Sequence, residues 1–451
     1  MSFESNAQGN TEEDDAFMIK QFYEEALDRQ LSYKWLHYLD ENIGGRIAGS
    51  PQSLAAVEFT AQVMDSLGTD TVYRLPCKVN YWYRGAKEQA RIVNHPAMGT
   101  QELRCLALGG SGSTGPNGLT AEVVEFKSLD ELRAAGDRVK GKIVFLSRPF
   151  DNKHLRTFHA YGSAVDQRTA GPNLASKLGA VACIIRSMTG RTDDWPHTGG
   201  THFSDSIKVI PALALSTKAA DVLSQCLKAA PTHMYLKSSC ENRGMQESYS
   251  VIGEIKGSKY PDEIILVGGH LDSWDVGGGA HDDGAGCVHS LEVLYLFKLL
   301  GYKPLRTIRC VMFQNEENGL AGGLSYAAYS NARKEFHLAA IESDAGGFTP
   351  QGFGFDGDAK LIERLKKVIP QWEELLGPYN IDFSPGGGGA DIGPLKSQKG
   401  MLFGLKPDSQ RYFDYHHTEQ DRIDAVHPRE LALGSAAMAS LVFLIDKYGI
   451  R

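Results

Sequence analysis

The chain lacks several features that would narrow its function on their own. It has no basic excess: 47 Lys and Arg face 55 Asp and Glu, for a net charge of −8. Binding phosphate needs a basic face, so nucleic acid is not an expected partner. No uninterrupted apolar run approaches the roughly 18 residues of a membrane span. None of the seven cysteines forms a CxxC pair, which removes zinc-ribbon and thioredoxin-type readings. Cys183, Cys287 and Cys310 fall in apolar stretches and are expected as small buried hydrophobes. The glycines at 109–118 lack the GxxxxGK[ST] pattern, so a surface loop is expected there and not a phosphate cradle. The first twenty residues are polar and acidic, without the basic start and apolar core of a secretory signal. A cytoplasmic protein, or a mature chain that has lost its signal and gained a Met, would both read this way.

What is present is the composition of a globular enzyme, 42% hydrophobic and 23% charged over 451 residues, more than one core usually supports. A helical pattern covers 15–40, and Ser50-Pro51 starts a second helix that stops at Gly68. Residues 71–93 alternate as strand. Between about 101 and 245 short strands, turns and helices make a compact α/β unit of their own. From Tyr249 onward buried strands and helices alternate again, closing with helices at 359–376 and about 428–448. The layout predicts one α/β domain interrupted by an insert.

The organising stretch is 261–287. Ile264 to Val267 reads as a buried strand and runs into Gly268-Gly269-His270-Leu271-Asp272. A glycine-rich loop then leads to His281-Asp282-Asp283, just ahead of a helical pattern. The strand delivers His270 to a sheet edge, and the loop returns Asp282 beside it, its glycines supplying the unusual dihedrals. Two further strands end on Glu316-Glu317 and near Asp344, and His417 lies in a late loop. Parallel strands would gather these ends where open α/β sheets bind ligands. Two histidines and three carboxylates suit zinc or a similar divalent ion. Five donors exceed one tetrahedral zinc but fit two ions sharing a carboxylate. With Glu317 as a ligand, Glu316 is left to take a proton from activated water and pass it to a leaving group. Singly, each residue has a bland reading: an HxD in a surface loop, a solvated EE pair, an exposed tandem His. Together, in order and at element ends, they favour a site.

At these points the sequence resembles the M28 family of co-catalytic zinc exopeptidases, through GGHLDS at 268–273, HDDGAG at 281–286, NEENGL at 315–320, ESDAGG at 342–347 and HHTEQD at 416–421. The resemblance covers most of the chain, and 101–245 is similar to an inserted protease-associated domain. It implies a mixed, mostly parallel sheet flanked by helices. The peptidase domain would occupy 15–100 and 246–451, with 1–14 as a polar tail. It implies two Zn2+ ions bridged by Asp282, with His270 and Asp344 completing one site and Glu317 and His417 the other. His417 is preferred to His416 because HTEQD aligns with the family's ligand-His-Thr pattern; His281 receives no role. Asp272 would hydrogen-bond the ring of His270, and the Asp282–Asp283 peptide would be cis. Asp391 and Tyr415 are candidate pocket residues, with loop structure as the alternative. Arg411 or Lys406 are candidates to meet a substrate carboxylate. The implied function is hydrolysis of small peptides, dipeptides with free termini foremost. The rivals are an aminopeptidase and a non-catalytic binding domain. The family also implies a homodimer and a secreted or periplasmic location.

Overall fold

A computed structural model describes residues 4–450, with side chains from Glu12 onward. Two eight-stranded sheets order the chain. The first runs, in space, Thr71–Tyr83, Glu241–Ile255, Arg306–Phe313, Tyr260–His270, Phe336–Glu342, Met401–Pro407, Pro350–Gly357 and Asp382–Pro385. Its four central strands, from Arg306–Phe313 to Met401–Pro407, are mutually parallel; the strands next to them on both sides pair antiparallel, and Pro350–Gly357 and Asp382–Pro385 pair parallel at the far edge. The sheet is therefore mixed and mostly parallel, as expected. Parallel central strands are covered on both faces, which is why Ile264 to Val267 and Cys310 to Phe313 are continuous apolar runs and do not alternate. All of them are buried. Each such Ile, Leu or Val contributes about 1.5–3 kcal/mol relative to an exposed one.

Helix Ala285–Leu299 follows the central strand and packs against Pro428–Tyr448 in the main core. By length and composition, Pro428–Tyr448 would suffice to cross a membrane, a match that a scan for uninterrupted apolar runs misses. In the fold it is a core helix, 83% buried over that stretch. Its end is pinned by the carboxylate of Asp15, which accepts from Lys447 Nζ and Tyr448 Oη. The expected tail at 1–14 takes another form: residues 1–3 lie outside the described residues, and the backbone is helical over Glu4–Arg29. The helical pattern expected to span 15–40 breaks at Gln30, whose φ of 47° is left-handed, before Leu31–Tyr38 resumes. Helix Pro51–Ser66 starts as its sequence predicts, with Ser50 Oγ accepting from Ser53 N at 3.1 Å.

The second sheet orders Gly99–Leu103, Gln89–His95, His233–Lys237, Leu119–Phe126, Ile143–Leu146, Ala182–Arg186, Ala212–Leu215 and Cys105–Ala107. Its outermost members in the chain are Gln89 and Lys237, which differs from the expected limits of 101 and 245. The alternation at 71–93 had merged two strands: Thr71–Tyr83 pairs with Glu241–Ile255 in the first sheet, while Gln89–His95 pairs with His233–Lys237 in the second. Alternation marks strands but carries no mark of which sheet they join.

Candidate metal centre

The carboxyl ends of the parallel strands meet at one edge, and the expected donors meet there. His270 ends the central strand. Its Nε2 lies 3.3 Å from Asp282 Oδ1 and 3.5 Å from Asp344 Oδ1. His417 Nε2 lies 3.2 Å from Asp282 Oδ2 and 3.1 Å from Glu317 Oε2. The two oxygens of Asp282 thus face two different histidines, each of which has a second carboxylate beside it. His416 is more distant, at 3.8 Å from Asp282 Oδ2, and its ring stacks on His417 with centroids 3.5 Å apart. Glu316 Oε2 is 4.0 Å from His270 Nε2, and its side chain keeps 24% of its exposure, close to the 23% of Asp344. The cluster is otherwise buried and opens on the side of these two carboxylates.

Main-chain amides hold the turn in place. Asp283 accepts from His270 N at 3.1 Å and Gly286 N at 3.0 Å. Asp421 accepts from His281 N at 2.7 Å and Asp282 N at 3.1 Å. The Asp282–Asp283 peptide is cis. Gly269 is obligatory at the strand end, because a Cβ there would sit 2.4 Å from Asp283 Oδ2 and 2.8 Å from the backbone of Gly286. Buried Arg46 donates to the carbonyls of Leu271, Gly278 and Gly279, fixing the glycine-rich loop. His281 is structural: its Nδ1 accepts from Gly347 N at 3.1 Å and its ring stacks on Phe348.

Two expected contacts are corrected. The ring of His270 bonds through Nδ1 to the main-chain oxygen of Asp272 at 2.9 Å, while the carboxylate of Asp272 stays 4.0 Å away. That carboxylate is turned instead to Glu316 N, at 3.1 Å, and Glu317 N, at 3.3 Å, so it positions the paired glutamates. Asp391 and Tyr415 do not line the cavity that contains Asp344. Asp391 is fully buried against Gly323, its own amide and that of Ile392 donating to the Glu342 carboxylate, and Tyr415 packs by His281 and Phe348.

The unit carrying the second sheet also reaches this centre. Thr198 N donates to His417 O at 2.9 Å, and Thr198 O lies 3.3 Å from His417 Nδ1. Since Nε2 faces the carboxylates, Nδ1 is the nitrogen placed to donate to that carbonyl. His417 has a left-handed φ of 62°, unusual for a residue with a side chain and held here by these two bonds. Trp274 closes the same face, with its ring 5.6 Å from that of His417 and filling the space beside Gly109. No composition signal marks Thr198 or Asp421. The closest trace is the acid at the end of HHTEQD.

The electrostatics describe a site short of positive charge. Burial works against a charged His417, yet Glu317 and Asp282 outweigh it and lift its pKa to about 10. His270 is likewise raised well above the usual imidazole range: burial opposes this, and Asp282 and Asp344 prevail. Burial and mutual repulsion push Glu316, Glu317 and Asp344 up. Four carboxylates and two imidazoles converging out of water are destabilised unless a cation joins them. Imidazole nitrogen and carboxylate oxygen are the donors zinc accepts. His270, Asp282 and Asp344 form one group able to hold an ion, and Asp282 with the histidine pair forms another.

A parallel-centred α/β sheet bearing buried His and carboxylate donors at its carboxyl edge is the architecture of a metal-dependent hydrolase. The chain belongs to peptidase family M28, whose family model matches residues 250–442, and is a metallopeptidase of that family. It is 33% identical to carboxypeptidase Q of Bos taurus over 416 residues, 92% of this chain and 85% of that protein, and equally to that of Homo sapiens over 417. A peptidase M28 precursor from Shewanella amazonensis superposes with a TM-score of 0.91 at 34% identity, covering 98% of this chain and 99% of the other. The fold is shared with a zinc aminopeptidase from Bacillus subtilis, at a TM-score of 0.64 and 21% identity, over 90% of this chain and 93% of that one.

Proposed function

We propose that this metallopeptidase is a di-zinc exopeptidase acting on small peptides, dipeptides with free termini foremost. The observation that carries the reading is Asp282: its two oxygens serve two separate His–carboxylate pairs, the arrangement of a carboxylate shared between two ions. His270 and Asp344 would complete one zinc site, and Glu317 and His417 the other. Bound zinc would supply Lewis acidity, polarising the scissile carbonyl and making water acidic enough to deprotonate near neutrality.

The chain's own residues do the rest. Glu316 Oε2 takes the proton from the attacking water and delivers it to the departing amine. It is suited to this by partial exposure toward the open side and by a pKa that burial lifts above the usual carboxylate range. Asp272 holds the Glu316 and Glu317 amides, so the base and its neighbouring ligand move as one unit. Carboxypeptidase Q among the relatives supports the choice of an exopeptidase.

The test is metal content per chain together with hydrolysis of dipeptides that are free, N-blocked or C-blocked. Two zinc ions, and cleavage of doubly free dipeptides alone, are expected. Equally fast cleavage of C-blocked substrates would assign an aminopeptidase. Absence of both metal and cleavage would leave a binding domain.

A further inference from the structure

A cavity of about 860 Å³ adjoins the metal centre, within the range of small-molecule sites. Its wall includes Asp344, the floor glycines Gly387 to Gly389, and two cations, Lys406 and Arg156. Lys406 comes from the strand Met401–Pro407 of the first sheet, and Arg156 from the second-sheet unit. Lys406 Nζ donates to Ser384 Oγ at 2.8 Å. Among the described residues, neither Lys406 nor Arg156 has a carboxylate within the 4.0 Å of an ion pair. Burial and then the nearby charge of Arg156 hold the Lys406 pKa below its usual value, and Asp382 only partly offsets them. Of the acids on the same wall, Asp408 caps Gln410 N at 3.1 Å, Glu342 accepts from Ile392 N at 3.0 Å and Asp344 faces His270, while Asp382 lies near Lys406 without closing an ion pair with it. Arg411, the alternative cation in the sequence, lies 3.7 Å from Glu430 and over the ring of Phe348, and it is not on this wall.

Two like charges held near each other, neither closed into an ion pair, in a cavity shared with a candidate metal donor, are a receptor for an anionic group of the substrate. We propose that Lys406 and Arg156 form a carboxylate subsite that fixes the register of the substrate against the metal centre, with the second-sheet unit supplying half of it. This rests on the peptidase reading above. The carboxylate is either the free α-carboxylate or an acidic side chain, and the same pair would hold both.

The experiment compares the zinc-loaded full chain with Lys406→Met, Arg156→Gln and Lys406→Arg. The substrates are a neutral free dipeptide, its C-terminal amide, and an amidated dipeptide ending in glutamate. For the free dipeptide the expected result is a KM raised roughly 10–100-fold in Lys406→Met and in Arg156→Gln, the worth of one charged hydrogen bond. The kcat and the zinc content should stay unchanged, the neutral amide should remain as poor a substrate as it is for the wild type, and Lys406→Arg should recover most of the loss. If only the glutamate amide responds, the subsite reads a side chain. A wild type that prefers the free dipeptide over its amide, with both variants keeping that preference in full, would overturn the subsite while leaving the dipeptidase reading intact. A wild type that cleaves free and amidated neutral dipeptides equally would overturn the dipeptidase reading. The subsite then stands only if the variants lose the glutamate amide, and falls if they do not.

Discussion

His337 and His417 carry the same ring in opposite fields. His417 sits among carboxylates and is driven toward the imidazolium. His337 is buried with no such neighbour in contact, and burial lowers its pKa to about 4. Its neutral form is fully bonded: Nδ1 pairs with Gln398 Oε1 at 2.8 Å, and Nε2 with Tyr326 Oη at 2.7 Å. The unfolded ring takes its proton near the ordinary value of 6.5, so below that pH the unfolded chain binds more protons than the native one. Stability contributed by His337 is therefore complete above about pH 6.5 and is lost as pH falls toward 4, with a slope of up to about 1.4 kcal/mol per pH unit. Urea unfolding at pH 7 and pH 5 should show His337→Gln losing less stability across that interval than wild type. Equal losses would mean the ring is not held neutral. At this scale the candidate donors were legible, because HxD, EE and HHT stand at predicted element ends. Arg46, Asp283 and Asp421 were not, since a side chain that bonds main-chain carbonyls or amides across the fold leaves no periodic mark in its neighbourhood.

Among the elements, the loop at 197–201 does more than link strands. Gly199, at a φ of 127°, passes so close to the centre that a Cβ would lie 2.7 Å from His417 Nδ1 and 2.4 Å from Arg168 Nη1. Only glycine permits Thr198 to grip His417 from both its amide and its carbonyl. Gly199→Ala should thus leave the far-UV circular dichroism unchanged and weaken zinc binding roughly 10–100-fold, the usual cost of disturbing a partner of a metal-ligating His. Chelator competition measures this, and an unchanged affinity would show that Thr198 does not orient the ring. The helix expected at 359–376 is found at Ala359–Leu376, whereas the pattern expected over 15–40 breaks at Gln30, a left-handed position that periodicity does not mark. The sheet boundary near Gln89 was not legible, because Arg84, which ties the two units through Asp275 and Ala107, follows directly on a strand of the first sheet.

Across the whole molecule, one sheet edge gathers residues separated by up to 147 positions, from His270 to His417, and the second unit closes over them. The topology explains why the motifs are ordered as they are: each parallel strand returns its carboxyl end to the same edge. It also makes the division of labour at Glu316-Glu317 the account's most exposed point, since adjacent residues of identical chemistry are assigned different work. The decisive measurement is turnover and zinc content of Glu316→Gln, which keeps the shape and removes the base. The expected result is a folded protein with the zinc content of the wild type and a kcat lowered roughly 10²–10⁴-fold on a free dipeptide. A variant that keeps full turnover, or one that loses its zinc, would contradict the assignment of Glu316 as base beside Glu317 as ligand.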